Sequence, residues 1–103
     1  MKNLVLFILI LFPVCSYSQT AEQYLQMAKD SLKKDNGESA IENVQHALEL
    51  RPCYGEALLF IGDLWLRAKN YEETLAYYNE AISCDPKNKE AIKKKEDLLN
   101  RQK

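Results

Sequence analysis

Residues 58–86 read LLFIGDLWLRAKNYEETLAYYNEAISCDP, and this stretch decides the fold. Its closing Pro86 lies 34 residues after Pro52, and the landmarks between them recur at the same offset. Gly62 answers Ala28, Ala81 answers Ala47, and Ile82 answers Leu48. Ile61 answers Met27, Leu59 answers Leu25, and Asn70 answers Asn36. A fixed period in this range is the mark of stacked structural repeats, in which one supersecondary unit buries its apolar face only against the next. The question of function thereby moves from chemistry towards binding.

Each unit reads as two helices. Leu58, Ile61, Gly62 and Trp65 recur at helical spacing, and after the Lys69–Asn70 turn so do Leu75, Tyr78, Ala81 and Ile82. Asp85-Pro86 stops the second helix, because the residue before proline is driven out of the α region. The earlier unit starts at a capping box, Thr20-Ala-Glu-Gln23, with Tyr24, Met27, Ala28, Ser31 and Leu32 as its stripe. Asp35-Asn36-Gly37 turns the chain, where Gly and Asn tolerate positive φ. A second helix from about Glu38 to Leu50 carries Ala40, Ile41, Val44, Ala47 and Leu48 and ends at Arg51-Pro52. Asn70-Tyr-Glu-Glu73 is a further capping box.

Extended once more, the period maps Ala57, Leu58, Leu64 and Trp65 onto Ala91, Ile92, Leu98 and Leu99. Ile61 and Gly62, however, become Lys95 and Glu96, and Leu59 and Phe60 become Lys93 and Lys94. A fifth helix with one apolar side predicts a terminal cap. The fold class is therefore all-α, five helices in tandem: one unit over 21–54, a second over 55–88, and a capping helix over 89–101. No segment shows the alternation of a half-buried strand.

Residues 1–18 read as a secretory signal peptide. Lys2 precedes the apolar run LVLFILILF, Pro13 ends it, and Ser16 and Ser18 supply small residues for cleavage. The run is too short to span a bilayer. Cys15 raises a lipoprotein alternative, but Val14 before it is a poor fit for acylation. Export of residues 19–103 is the expectation, with no membrane span once the signal is removed. That portion holds 13 basic and 15 acidic side chains, distributed unevenly: residues 19–86 are net −6 and residues 87–103 net +4. This balance offers no footprint for nucleic acid. An oxidising compartment permits a Cys53–Cys84 disulfide. The spacing of packed helices, about 10 Å, exceeds the roughly 7 Å that a disulfide spans, and weighs for free thiols.

Nothing points to catalysis, a metal or a cofactor. His46 has no ligand partner at metal spacing and falls on the outward side of its helix. Cys53 lacks a histidine suited to activate it. Adjacent carboxylates such as Glu72–Glu73 do not face each other on a helix. The expectation is a protein that is not an enzyme.

Leu58-x2-Ile61-Gly62-x2-Trp65, Thr74-x3-Tyr78-x2-Ala81 and Pro86 together resemble the tetratricopeptide repeat. So, less closely, do Tyr24-x2-Met27-Ala28-x2-Ser31, Ala40-x3-Val44-x2-Ala47 and Pro52. Ser31, Thr74 and Leu58 depart from the usual residues of that pattern. The resemblance implies a binding surface lined by the first helix of each unit, and a protein or peptide partner. On this chain it falls on Leu25, Lys29, Leu59, Phe60, Asp63, Leu66 and Arg67. Of these, Leu25, Leu59, Phe60 and Leu66 lie off the core stripe, and neighbouring exposed apolar side chains mark a contact site. The carboxylate clamp of some members would map to Leu25, Lys29, Phe60, Glu90 and Lys94, without its asparagines, so an apolar or amphipathic segment is the expected ligand. The alternative is a self-associating structural module, a homodimer paired through the first repeat.

Overall fold

A computed structural model describes residues 19–102, so the signal segment and Cys15 lie outside the described residues. Five helices follow in order: α1 Ala21–Lys33, α2 Gly37–Leu50, α3 Gly55–Arg67, α4 Tyr71–Cys84 and α5 Lys89–Arg101. They form an all-α, tetratricopeptide-like stack in which α1 pairs with α2, α3 with α4, and α5 packs on α4. Among the described residues, no helix is long and apolar enough to cross a membrane.

The caps recur with the period except at α3, where Tyr54 makes no side-chain cap bond. Thr20 and Gln23 close a reciprocal capping box on α1, at 3.1 and 2.9 Å. Asn36, Asn70 and Asn88 cap α2, α4 and α5 through their side-chain oxygens. At Asn70 only the side-chain half of the expected box is made, to the Glu73 N–H at 3.2 Å. Helices α1 and α3 end alike. The Asn36 and Asn70 amides reach back to the Ser31 and Trp65 carbonyls, each at 2.9 Å. The residue before each asparagine takes the left-handed conformation, Asp35 at φ 59° and Lys69 at φ 63°. This is the Schellman ending, which satisfies carbonyls that the helix leaves unpaired. The positive φ thus falls on Asp35 rather than on Asn36 or Gly37.

Two apolar clusters share α3. Ala21, Leu25, Ala28, Ala40, Val44, Ala47, Tyr54, Ala57, Ile61 and Leu64 make the first. Leu58, Leu59, Tyr78, Ala81, Ala91 and Leu98 make the second. Small residues let the helices approach: Ala28, Ala40, Ala47 and Ala57 are wholly inaccessible. A Cβ at Gly62 would stand 2.7 Å from Cε1 of Tyr78.

Two stripes differ from expectation. On α1, Leu25 is buried and Met27 is 40% exposed, the reverse of the predicted arrangement. Ile61, one period after Met27, is buried because α2 and α3 meet there; α1 is the first described helix and nothing described covers its outer arc. On α5, Ala91 and Leu98 are buried as expected, but Ile92 and Leu99 stand exposed. They occupy the positions of Leu58 and Trp65, which on α3 pack into the second and first clusters, and no described helix follows α5.

Cys53 and Cys84 form a disulfide, with Cα atoms 5.6 Å apart. The helix-spacing argument for free thiols fails because Cys53 is not helical. It sits in the 51–54 linker, which reaches the last residue of α4 without being held at the distance of a helix axis.

Candidate functional site

The first helices α1, α3 and α5 share one side of the stack and are tied across it by ion pairs. Lys29 Nζ on α1 meets Glu56 Oε2 on α3 at 2.6 Å. Lys94 Nζ on α5 meets Asp63 of α3 at 2.9 and 3.2 Å. Asp63 also accepts the Tyr78 hydroxyl of α4 at 2.5 Å, so one carboxylate joins three helices. At the edge, the Arg51 guanidinium reaches Glu22 at 2.7 Å and lies 3.9 Å over the ring of Tyr54. Burial first, then the Asp63 hydrogen bond and charge, push the Tyr78 phenol well above its usual range.

The candidate residues divide on this geometry. Leu25 and Leu59 are core side chains, 2% and 5% exposed, and offer a partner nothing. Their positions look off-stripe only when each helix is set against its immediate mate. In the stack, a first helix touches its mate on one side and the next unit on the other, and the covered arc widens to include them. Lys29 and Asp63 lie on the proposed face but are engaged within the chain. Phe60 and Leu66 are half-buried and flank Asp63, Phe60 packing towards the first cluster and Leu66 towards the second. Leu66 also borders a pocket of about 120 Å³ that holds Asp63, Lys94, Asp97 and Arg101. Arg67 is exposed and lines a separate, mostly apolar pocket of about 410 Å³ with Leu32, Ile41 and Leu64. His46 is exposed, with its ring 5.2 Å from that of Tyr24.

Tyr78→Phe tests the three-helix junction. Deleting one hydroxyl leaves the ring packing intact and is expected to cost about 1.5 kcal/mol, the usual worth of a hydrogen bond to a charged group. The phenol also titrates. Its native pKa lies above the 10.0 of an unperturbed tyrosine, so its contribution is complete below pH 10.0 and is lost as pH rises further. Urea midpoints at about pH 8 and about pH 10.5 should therefore converge between wild type and variant; a gap that widens with pH would contradict the assignment.

A second concavity lies on the opposite helices, and the sequence reading missed it. A groove of about 360 Å³ between α2 and α4 is lined by Leu48, Leu58 and Tyr77 with the exposed Gln45, Glu49, Pro52 and Glu80 around them. Burial, followed by the charges of Glu73 and Glu80, pushes the Tyr77 phenol up. The available signal was compositional: α2 and α4 contain six carboxylates and no lysine or arginine.

No family model matches this chain, and no curated protein matches it. Among solved structures it is similar to one described as the crystal structure of MamA protein, at 19% identity and a TM-score of 0.65. The match covers 79% of this chain and 50% of that one, so the chain spans about half the length of its structural neighbour. At that identity the likeness speaks for the helical-repeat fold alone.

Proposed function

We propose that this chain is an exported adaptor that binds a peptide or helical segment of another protein on the α1–α3–α5 side, and that it acts by binding rather than by catalysis. The observation that carries the reading is the pair Phe60 and Leu66, partly open apolar side chains on either side of the Asp63–Lys94 bridge. With Arg67 exposed one residue on, α3 presents apolar contacts beside fixed charges, which suits an amphipathic segment. The tetratricopeptide-like fold supports a protein partner, and the Cys53–Cys84 bond supports an oxidising compartment. Lys29 and Asp63 serve the face by setting its shape.

The test is capture of exported proteins by residues 19–103, followed by the double variant Phe60→Ser/Leu66→Ser. Capture of the specific partner is expected to fall at least about tenfold, the loss of two apolar anchors. Far-UV circular dichroism establishes that the variant is folded. Undiminished capture by a folded variant would remove the partner from this face.

A further inference from the structure

The groove between α2 and α4 is apolar at its floor and anionic at its rim. Leu48 and Tyr77 are half-buried within it, with Leu58 beneath and Pro52 at one end. Glu49 and Glu80 stand at the edge, and Glu73 is near enough to act on Tyr77. Neither helix has a lysine or arginine to offset these charges; the one basic side chain of the two, His46, lies 3.5 Å from Glu49. Such a groove fits a helix that offers apolar side chains set among lysines.

The chain itself carries that helix. On α5, Ile92 and Leu99 are seven residues apart, hence on one line along the helix, and are 36% and 41% exposed. Lys89 and Lys93 are exposed beside them, and Lys95 is half-buried. The charge of the two regions is opposite: net −6 over residues 19–86 and net +4 over residues 87–103. Glu96 stands where the period places Gly62 on α3, so α5 lacks the small residue through which α3 admits the Tyr78 ring of α4. Its open side is thus ill suited to a further repeat helix of the α4 kind and is better matched by an anionic groove.

We propose that the α2–α4 groove receives α5 of a second copy, with Ile92 and Leu99 on Leu48 and Tyr77 and the lysines against Glu49 and Glu80. The contact is heterologous: groove and helix are different surfaces of one molecule, so association runs head to tail. It leaves the α1–α3 contacts at Phe60 untouched. Two apolar anchors and solvent-exposed charges make it weak and salt-sensitive.

Sedimentation of the intact exported chain tests this through complementation. The wild type should associate with rising concentration at about 20 mM salt and dissociate at about 0.5 M, where screening shortens the reach of the charges to a few ångströms. Glu49→Gln/Glu80→Gln disables the groove, and Ile92→Ser/Leu99→Ser disables the helix. Each alone should weaken association at least tenfold. An equimolar mixture retains one intact groove and one intact helix, and should form a 1:1 dimer and nothing larger. A wild type that stays monomeric overturns the proposal. So does association that survives in both variants, which would place the contact elsewhere, on the outer arc of α1 at Met27 for instance. A mixture that remains monomeric overturns it too.

Discussion

Gly62→Leu is expected to destabilise the fold by about 3 kcal/mol, the upper end of what overpacking costs. Glycine inside a helix ordinarily weakens it by about 1 kcal/mol relative to alanine, so a substitution at an open site would help. This site is closed. A Cβ would meet Cε1 and Cδ1 of Tyr78 at 2.7 and 2.9 Å, and Cβ of Tyr77 at 3.4 Å. The Tyr78 ring is 1% exposed, and its hydroxyl is anchored on Asp63, so it has neither room nor freedom to withdraw. Even Gly62→Ala is expected to lose stability, against helix propensity. The first unit shows how the conflict is otherwise avoided. Ala28 and Val44 occupy the positions 34 residues before Gly62 and Tyr78, and both are fully buried in one cluster. A larger residue on one helix accompanies a smaller one on its mate. Gly62→Ala combined with Tyr78→Val should therefore cost less than the sum of the two single changes, measured as urea midpoints by circular dichroism. Strict additivity would mean that the two side chains do not meet.

The same pair shows what the sequence could reveal. A period, a glycine and a tyrosine are enough to place two helices in contact, because close approach leaves its mark on residue size. Caps are equally local: Thr20 and Asn70 were readable without any tertiary information, whereas Asn36 reads as a turn residue and in fact caps α2. What escaped depends on the second neighbour of each helix. Leu25 and Leu59 are buried where a helix pair alone would leave them open, and Met27 is open where a preceding pair would bury it. The ion pairs escaped for a related reason. Lys29–Glu56 and Asp63–Lys94 join first helices of successive units at separations of 27 and 31 residues. Neither matches the repeat period, and both depend on how far one unit is rotated on the next. The face that family resemblance marks for binding is thus partly spent on holding the stack together: Lys29 and Asp63 are held in ion pairs, while Phe60, Leu66 and Arg67 are its accessible members outside them.

Removing the Cys53–Cys84 bond is the second large effect expected. The cross-link joins residues 31 apart and encloses α3 and α4, both helices of the second unit. For a loop of that length, the chain-entropy estimate is between about 3 and 4 kcal/mol. In a domain of this size the total stability is of order 5–10 kcal/mol, so the bond accounts for a large share. The sites themselves add little. Cys53 is exposed and Cys84 half-buried, and serine at either place leaves no large cavity. Cys53→Ser, Cys84→Ser and the double variant should therefore all fall by the same amount, because each loses the same single constraint. At roughly 4–8 °C per kcal/mol for a domain of under 100 residues, the melting temperature should drop by more than about 10 °C. Reductant should bring the wild type down to the level of the variants and leave the variants where they are. Equal melting of oxidised and reduced wild type would show that the second unit holds its shape without the bond. Unequal single variants would show that one cysteine contributes packing of its own.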